Sequence, residues 1–305
     1  MRSDSDSAAT GHSTRRHSSR AVAIEIVRYA LVLALVVLTN AEAGALEDLD
    51  TCIDELKGPP TSSRNRFPAQ ISVFSWNAMK FNRSGSGAYL QDESADSDLI
   101  FLQESWEDGE AGSTGKRRRL FAPGYVSDGR ASGVELRSHF SPDVVCKLQF
   151  MEPILRTPKA VLIARYTFDQ AALLVINLHA INFALGIGAY ERQLDAISQA
   201  IHAHRGPVIV GGDFNQWNRW RVAALTAFAD TNGLREVEFD PDERSTHFGS
   251  HVDSFFLRGF TPKKSWALPT RASDHHPILA VLKRFAVSPR PHQDHQVEGS
   301  LAEGE

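Results

Sequence analysis

Cysteine is nearly absent from this 305-residue chain: Cys52 and Cys146 are the only two. Two thiols are too few for a disulfide scaffold or a zinc site built of thiolates. At most they close one bridge, which an oxidising compartment permits and a cytosol keeps open. A surplus of positive charge is missing as well, with 33 Lys+Arg against 37 Asp+Glu and a formal charge of −4. Coating of nucleic acid by bulk charge is thereby excluded, and any anion site must be local. No apolar run reaches the ~20 residues that span a bilayer. Strong compositional bias is also lacking: 42% hydrophobic and 23% charged residues exclude a collagen, a mucin stalk and a wholly disordered chain.

The clearest apolar run near the start is residues 29–38, YALVLALVVL. Before it, residues 1–28 mix Ser, Thr and His with Arg2, Arg15, Arg16, Arg20 and Arg28; after it comes Ala41-Glu42-Ala43. Basic, then apolar, then A-x-A is the order of a secretory signal, here with a long disordered n-region, so the chain is expected in the periplasm or outside the cell. The alternative is an uncleaved inner-membrane anchor through residues 21–38, although Glu25 and Arg28 are costly in hydrocarbon. Cleavage after Ala43 removes five Arg and four acids, a net +1, and takes the chain from −4 to −5. The organisation expected is 1–43 as n-region plus signal or anchor, 44–67 as a lead-in, 68–287 as the catalytic domain and 288–305 as a disordered tail rich in Pro, His, Gln and Glu.

Within 68–287, β-branched and aromatic runs alternate with helical stretches. Strands are predicted at 71–76, 99–103, 160–166, 173–178, 208–210, 252–257 and 278–282. The best helix is 190–204, where Leu194, Ile197 and Ile201 recur at three and four residues and Arg205-Gly206-Pro207 marks the stop. A second is expected over about 219–230, ahead of Asn232-Gly233. Strands with helices between them imply an α/β protein whose sheets are covered by helices.

Five of these strands end in groups that a core would not choose. Trp76 is followed by Asn77, LIFLQ by Glu104, LLVINL by His179, VIVGG by Asp213 and Asn215, and Ala272-Ser273 leads to Asp274, His275 and His276. Each alone has a plain structural explanation, such as Asp213 capping the next helix or Asp274 serving a turn before Pro277. As a set they supply what metal-assisted phosphoester hydrolysis needs. A hard cation such as Mg²⁺ takes oxygen ligands, for which Glu104 and Asp274 suit. Asn77, Asn215 and a protonated His179 can stabilise charge that builds on a phosphate. His275 is the natural base for water, and Asp253 is available to orient its ring.

Ser75-Trp76-Asn77, Leu102-Gln103-Glu104, Asn177-Leu178-His179, Gly212-Asp213-Phe214-Asn215, Val252-Asp253 and Ser273-Asp274-His275-His276-Pro277, in this order, resemble the endonuclease/exonuclease/phosphatase superfamily. The resemblance implies a four-layer α/β sandwich, DNase I-like, with two mixed β-sheets packed face to face between helices. It implies a phosphodiesterase or phosphomonoesterase dependent on Mg²⁺ or Mn²⁺. Carried onto this chain, Asn77, Glu104 and Asp274 would form the metal site. His179, Asp213, Asn215, Asp253 and His275 would be catalytic, with Asp213 and Asn215 orienting water and contacting the phosphate. Lys159 would face the phosphate. NLHAINF, HRGPVIVGGDFNQW and HFGSHVDSFFLRG further resemble the bacterial YafD-like proteins. One departure is GVELRSHF at 133–140, where Ser138-His139 replaces the more usual Ser-Arg strand end.

Two substrate classes follow. Nucleic acid comes first, as for an exported endonuclease, because Lys116-Arg117-Arg118-Arg119 could hold backbone phosphates. A phospholipid headgroup or small phosphoester is the alternative, as for a sphingomyelinase, because INFALGIGAY at 181–190 could touch a lipid. Trp217 and Trp220 fit a base-stacking platform, an interfacial anchor or a core. A non-catalytic binding module ranks last, since Glu104, Asp213, Asp253 and His275 are all kept. Nothing calls for an obligate protein partner, and a monomer is expected.

Overall fold

Both faces of the predicted strands are apolar, so each face needs its own cover. The computed structural model describes residues 47–285 apart from 62, 64, 109–116 and 170. The expected signal or anchor, the tail and Lys116 therefore lie outside the described residues. In chain order the elements are α1 (Glu47–Lys57), β1 (Gln70–Asn77), α2 (Ser86–Glu93), β2 (Leu99–Trp106), β3 (Arg118–Ser127), β4 (Arg130–Ser138), β5 (Pro142–Met151), β6 (Pro158–Thr167) and β7 (Ala172–His179). They continue with α3 (Gly188–His202), β8 (Val208–Asp213), α4 (Arg219–Asn232), β9 (Arg235–Glu236), β10 (Thr246–His247), β11 (Ser250–His251), β12 (Asp253–Arg258), β13 (Phe260–Ala267) and β14 (Ile278–Arg284).

One six-stranded sheet runs β13-β14-β1-β2-β4-β3 and the other β5-β6-β7-β8-β12-β9. Each is mixed, with β1–β2 and β7–β8 as its parallel pair. Alternation along the strands sorts side chains into layers. Ile71, Val73 and Phe101 of the first sheet meet Leu162, Val175, Ile209 and Phe255 of the second in a core between them. The outer face of the second sheet gives Ile163, Leu174, Ile176 and Val210 to α1, α3 and α4 through Leu49, Ile197, Ile201 and Phe228. On the outer face of the first, Phe74, Trp76, Ile100 and Leu102 pack with Leu90 of α2. This is the four-layer DNase I-like sandwich that the motifs implied.

All seven predicted strands are present, and the two predicted helices shift by a residue or two at their ends. The Asn218 side chain caps α4 by accepting the N–H groups of Trp220 and Arg221, so Asp213 is free of that task. Strands β3, β5 and β13 were not foreseen, and β4 only through the resemblance at 133–140. Pro123-Gly124 in β3 and Pro262 in β13 read as breakers, but each sits at a register shift where the ladder tolerates a missing N–H. The segment read as a lead-in contains α1, and Cys52 on it is bridged to Cys146 on β5. Closing a 94-residue separation is worth roughly 4 to 5 kcal/mol against the unfolded chain.

Candidate active site

Asp213 ends β8 where three strands converge. Its register partners are His179 across the parallel β7–β8 pair and Asp253 across the antiparallel β8–β12 pair. Gly211-Gly212 makes that convergence possible. A Cβ at Gly212, whose φ is +141°, would fall 2.1 Å from the Leu178 carbonyl oxygen, and one at Gly211 would fall 2.6 Å from the Phe255 ring. Any side chain there would push β8 off its neighbours and part the functional groups.

Asp213 is buried and its oxygens are individually held. Oδ1 accepts the Asn215 backbone N–H at 3.0 Å, and Oδ2 accepts the Asn77 side-chain amide at 3.0 Å. The same Oδ2 lies 3.5 Å from His179 Nε2 and 3.9 Å from His275 Nε2. Two histidines thus flank one carboxylate, with opposite consequences.

His275 Nδ1 is 2.8 Å from Asp253 Oδ2. Burial alone would push this imidazole down, but the charges of Asp253 and Asp213 outweigh it and lift the group to about 10. This clasp favours the protonated ring and suits His275 to donate through Nε2, a role beside that of the base for water expected from the sequence.

His179 Nε2 instead lies 2.8 Å from Lys159 Nζ. Burial and then the Lys159 charge push this imidazole well below its ordinary value, despite Asp213. An ammonium has no lone pair, so Nε2 must accept and the ring is neutral. In this arrangement His179 faces Lys159, which favours a neutral ring that accepts and orients the ammonium over the protonated donor expected from the sequence. Lys159 also reaches Glu152 Oε1 at 3.8 Å.

Glu104 sits at the register shift between Leu102 and Ser105, with a left-handed φ of 52°. Such a backbone costs about 1 to 3 kcal/mol in a residue with a side chain, and a bulge re-aims the group it carries. Glu104 Oε2 accepts Lys80 Nζ at 2.9 Å. Burial pushes the carboxyl up, but the Lys80 charge and hydrogen bond hold it below the usual carboxylate range. Sequence reasoning missed Lys80; its place three residues after Asn77 was the only signal. It lies in a left-handed turn, Met79 to Phe81 at φ 48°, 56° and 54°, pinned by the Trp106 indole N–H on the Lys80 carbonyl at 2.8 Å.

Asp274 is exposed beside this group, and the Ser273 hydroxyl lies 2.7 Å from the Asn77 carbonyl and 3.2 Å from Asp274 Oδ1. Asn77, Glu104 and Asp274 offer amide and carboxylate oxygens, a donor set that fits a hard dication. Asp213, Asp253 and His275 form a second, buried group whose donor atoms all lie within 4.8 Å of one another. Asp253 Oδ1 there is buried without a hydrogen-bond partner, which also suits a cation. Asn215 holds a left-handed φ of 48°, and its side-chain amide donates to the Ala180 carbonyl at 3.1 Å.

Other predicted features are employed inside the protein. Arg117 donates to the carbonyls of Ser94, Ala95 and Ser97, and Arg119 to those of Trp106 and Glu107 and to Glu135. The Ser138 hydroxyl accepts the Phe140 N–H. Trp217 is half-buried, its indole donating to Asn182 Oδ1, while Trp220 is exposed.

Comparison with known proteins agrees with this geometry. The model of the Endonuclease/Exonuclease/phosphatase family matches residues 74–275. A UPF0294 protein of Yersinia pseudotuberculosis is 38% identical over 240 residues, covering 77% of this chain and 90% of the relative. One from Yersinia enterocolitica is 40% identical over 213 residues, covering 68% and 82%. Among solved structures, an endonuclease/exonuclease/phosphatase family protein of Bacteroides thetaiotaomicron is similar at a TM-score of 0.54, with 18% identity over 75% of this chain and all of that one. A humanized D. rerio TDP2 is similar at 0.54, with 18% identity over 71% of this chain and all of that one. These two speak for the fold.

Proposed function

The chain belongs to the endonuclease/exonuclease/phosphatase family and, with its bacterial relatives, to the UPF0294 group, and from that premise we propose that it is an exported phosphodiester hydrolase using Mg²⁺ or Mn²⁺. The observation that carries the proposal is one carboxylate, Asp213, fixed by Asn77 and Asn215 beside the His275 ring that Asp253 clasps.

Asp213 has the lone pairs to orient a water and take its proton, the task that His275 cannot perform while protonated. His275 donates through Nε2 to a non-bridging phosphoryl oxygen, whose charge grows in the transition state, and Asp253 keeps the ring aimed. Lys159, steadied by His179, faces the same charge. Asn77, Glu104 and Asp274 would hold the cation, with Lys80 as the countercharge on Glu104 without it. A bound dication polarises the phosphoryl oxygen and lowers the pKa of a coordinated water.

Export accords with the Cys52–Cys146 bridge, since such bonds persist in oxidising compartments. For the substrate, the D. rerio TDP2 structure with a single-strand DNA product supports nucleic acid by analogy. Two residues of the basic run that first favoured that class, Arg117 and Arg119, are spent on internal carbonyls, which favours the second reading, a lipid headgroup or small phosphoester. The deciding experiment offers bis-p-nitrophenyl phosphate, plasmid DNA and a choline phospholipid with Mg²⁺ or Mn²⁺, to the wild type and to His275→Gln. Metal-dependent turnover that collapses in the variant is expected on at least the small diester. Silence on all three substrates overturns the proposal.

A further inference from the structure

The rim above His275 is apolar in a way that phosphoryl chemistry does not require. β10 and β11 form a separate two-stranded hairpin whose turn is Phe248-Gly249, both left-handed, at φ 51° and 82°. Glycine adopts that backbone freely, whereas phenylalanine adopts it at a cost. The turn leaves the Phe248 ring 89% exposed, its inner edge against Trp217 at 5.6 Å between centroids. His247, one residue back, stands 5.2 Å from the His275 ring, so the hairpin is continuous with the site.

Trp217 in turn ties the hairpin to the loop after His179 by its hydrogen bond to Asn182. That loop packs Ala184 and Ile187 against the core and leaves Phe183 half-exposed and Leu185 85% exposed. Beneath it Arg221 is buried, stacked at 4.8 Å on Trp217, and donates to the carbonyls of Ile181, Asn182 and Asn215. The exposed side chains are therefore mounted on a braced base.

We propose that this rim enters a lipid surface, with Phe248, Leu185 and Phe183 in the acyl boundary, and that the substrate is a phosphodiester headgroup in that surface. The inference rests on the hydrolase reading and names its substrate class. Large exposed apolar side chains grouped beside a site mark an interaction surface. Leu185 has no π face for a nucleobase, whereas acyl chains accept leucine and phenylalanine alike. A nucleic-acid track also needs cations for successive phosphates. Near the rim Arg221 is spent on three carbonyls, and Arg244 pairs with Asp242 and Glu236. Trp220, exposed with the Arg219 guanidinium 4.6 Å above its ring, suits the headgroup level, where an apolar body and a polar tip are both satisfied.

The test compares the wild-type chain with Phe248→Ser/Leu185→Ser and with Phe248→Leu. Sedimentation uses vesicles of phosphatidylcholine and phosphatidylglycerol, and affinity for a single-stranded oligonucleotide is measured alongside. The double variant should lose at least about tenfold in vesicle partition, since each side chain removed withdraws a whole apolar group from the bilayer. Its ratio of vesicle-borne choline phospholipid hydrolysis to bis-p-nitrophenyl phosphate hydrolysis should fall alike. Phe248→Leu keeps the apolar group, loses the ring and should bind vesicles nearly as well as wild type. Equal pelleting of wild type and double variant overturns the proposal. So does loss of oligonucleotide affinity in Phe248→Leu with vesicle binding untouched, which would make the rim a base-stacking platform. Failure of the hydrolase reading shows separately, as absent turnover of the small diester, because sedimentation needs no catalysis.

Discussion

Two histidines look at the same oxygen of Asp213 and are pushed in opposite directions. On one side His275 is clasped by Asp253 at 2.8 Å and its pKa is raised; on the other His179 meets Lys159 at 2.8 Å and its pKa is lowered. Both rings are buried, so burial presses both the same way and cannot explain the difference. The sign of the second neighbour decides: a carboxylate behind one ring and an ammonium behind the other. Residue type at a strand end thus tells where chemistry is carried, while charge state, and with it donor or acceptor role, comes from a partner on another strand.

The comparison is broken most completely at the group both sides share. Asp213→Asn removes the proposed base and the anion between the rings, and turnover of a small diester at saturating metal should fall about 10³- to 10⁴-fold. His275→Gln removes only the donor, and a loss of about 10²- to 10³-fold is expected in the same assay. Asp253→Asn leaves the ring but not its clasp. We expect a loss of about 10- to 100-fold, with the His275 titration moved down in a proton NMR experiment. On the opposite side, Lys159→Met should cost about tenfold and let the His179 titration rise, because the charge that suppresses it is gone. A Lys159→Met protein whose His179 stays well below its ordinary value would show that burial alone sets that ring.

The fold and the clustering of the strand-end polar groups were legible because both rest on local pattern. Apolar runs of β-branched residues marked the central strands, and polar groups at their ends had no packing reason to be there. What stayed hidden depended on contacts distant in sequence. Lys80 is joined to Glu104 by a left-handed turn and a bulge, neither written in any residue preference. The proton affinity of His275 depends on Asp253, named beforehand as its orienting partner but not as the charge that raises its pKa. The edge strands β3 and β13 carry prolines at register shifts, so their sequences look like loops. Arg117 and Arg119 looked like a phosphate grip because a basic run gives no sign that backbone carbonyls will take its donors.

The smallest expected effect is on stability, and it gives the two rings mirror-image pH dependences in metal-free buffer. His275 has a folded pKa raised to about 10 from an ordinary 6.5. Its proton therefore stabilises the fold fully below about 6.5, and that contribution is lost as pH climbs towards 10. His179 has a folded pKa pushed well below 6.5, so its neutral form is the stabilising one. That contribution is present above 6.5 and is lost as pH falls. Urea midpoints for wild type, His275→Gln and His179→Gln across pH 5 to 10 should separate the two. The gap between wild type and His275→Gln narrows towards alkali, and the gap between wild type and His179→Gln narrows towards acid. Two gaps that move together would mean that the rings share one protonation equilibrium through Asp213 rather than being set by Asp253 and Lys159 independently.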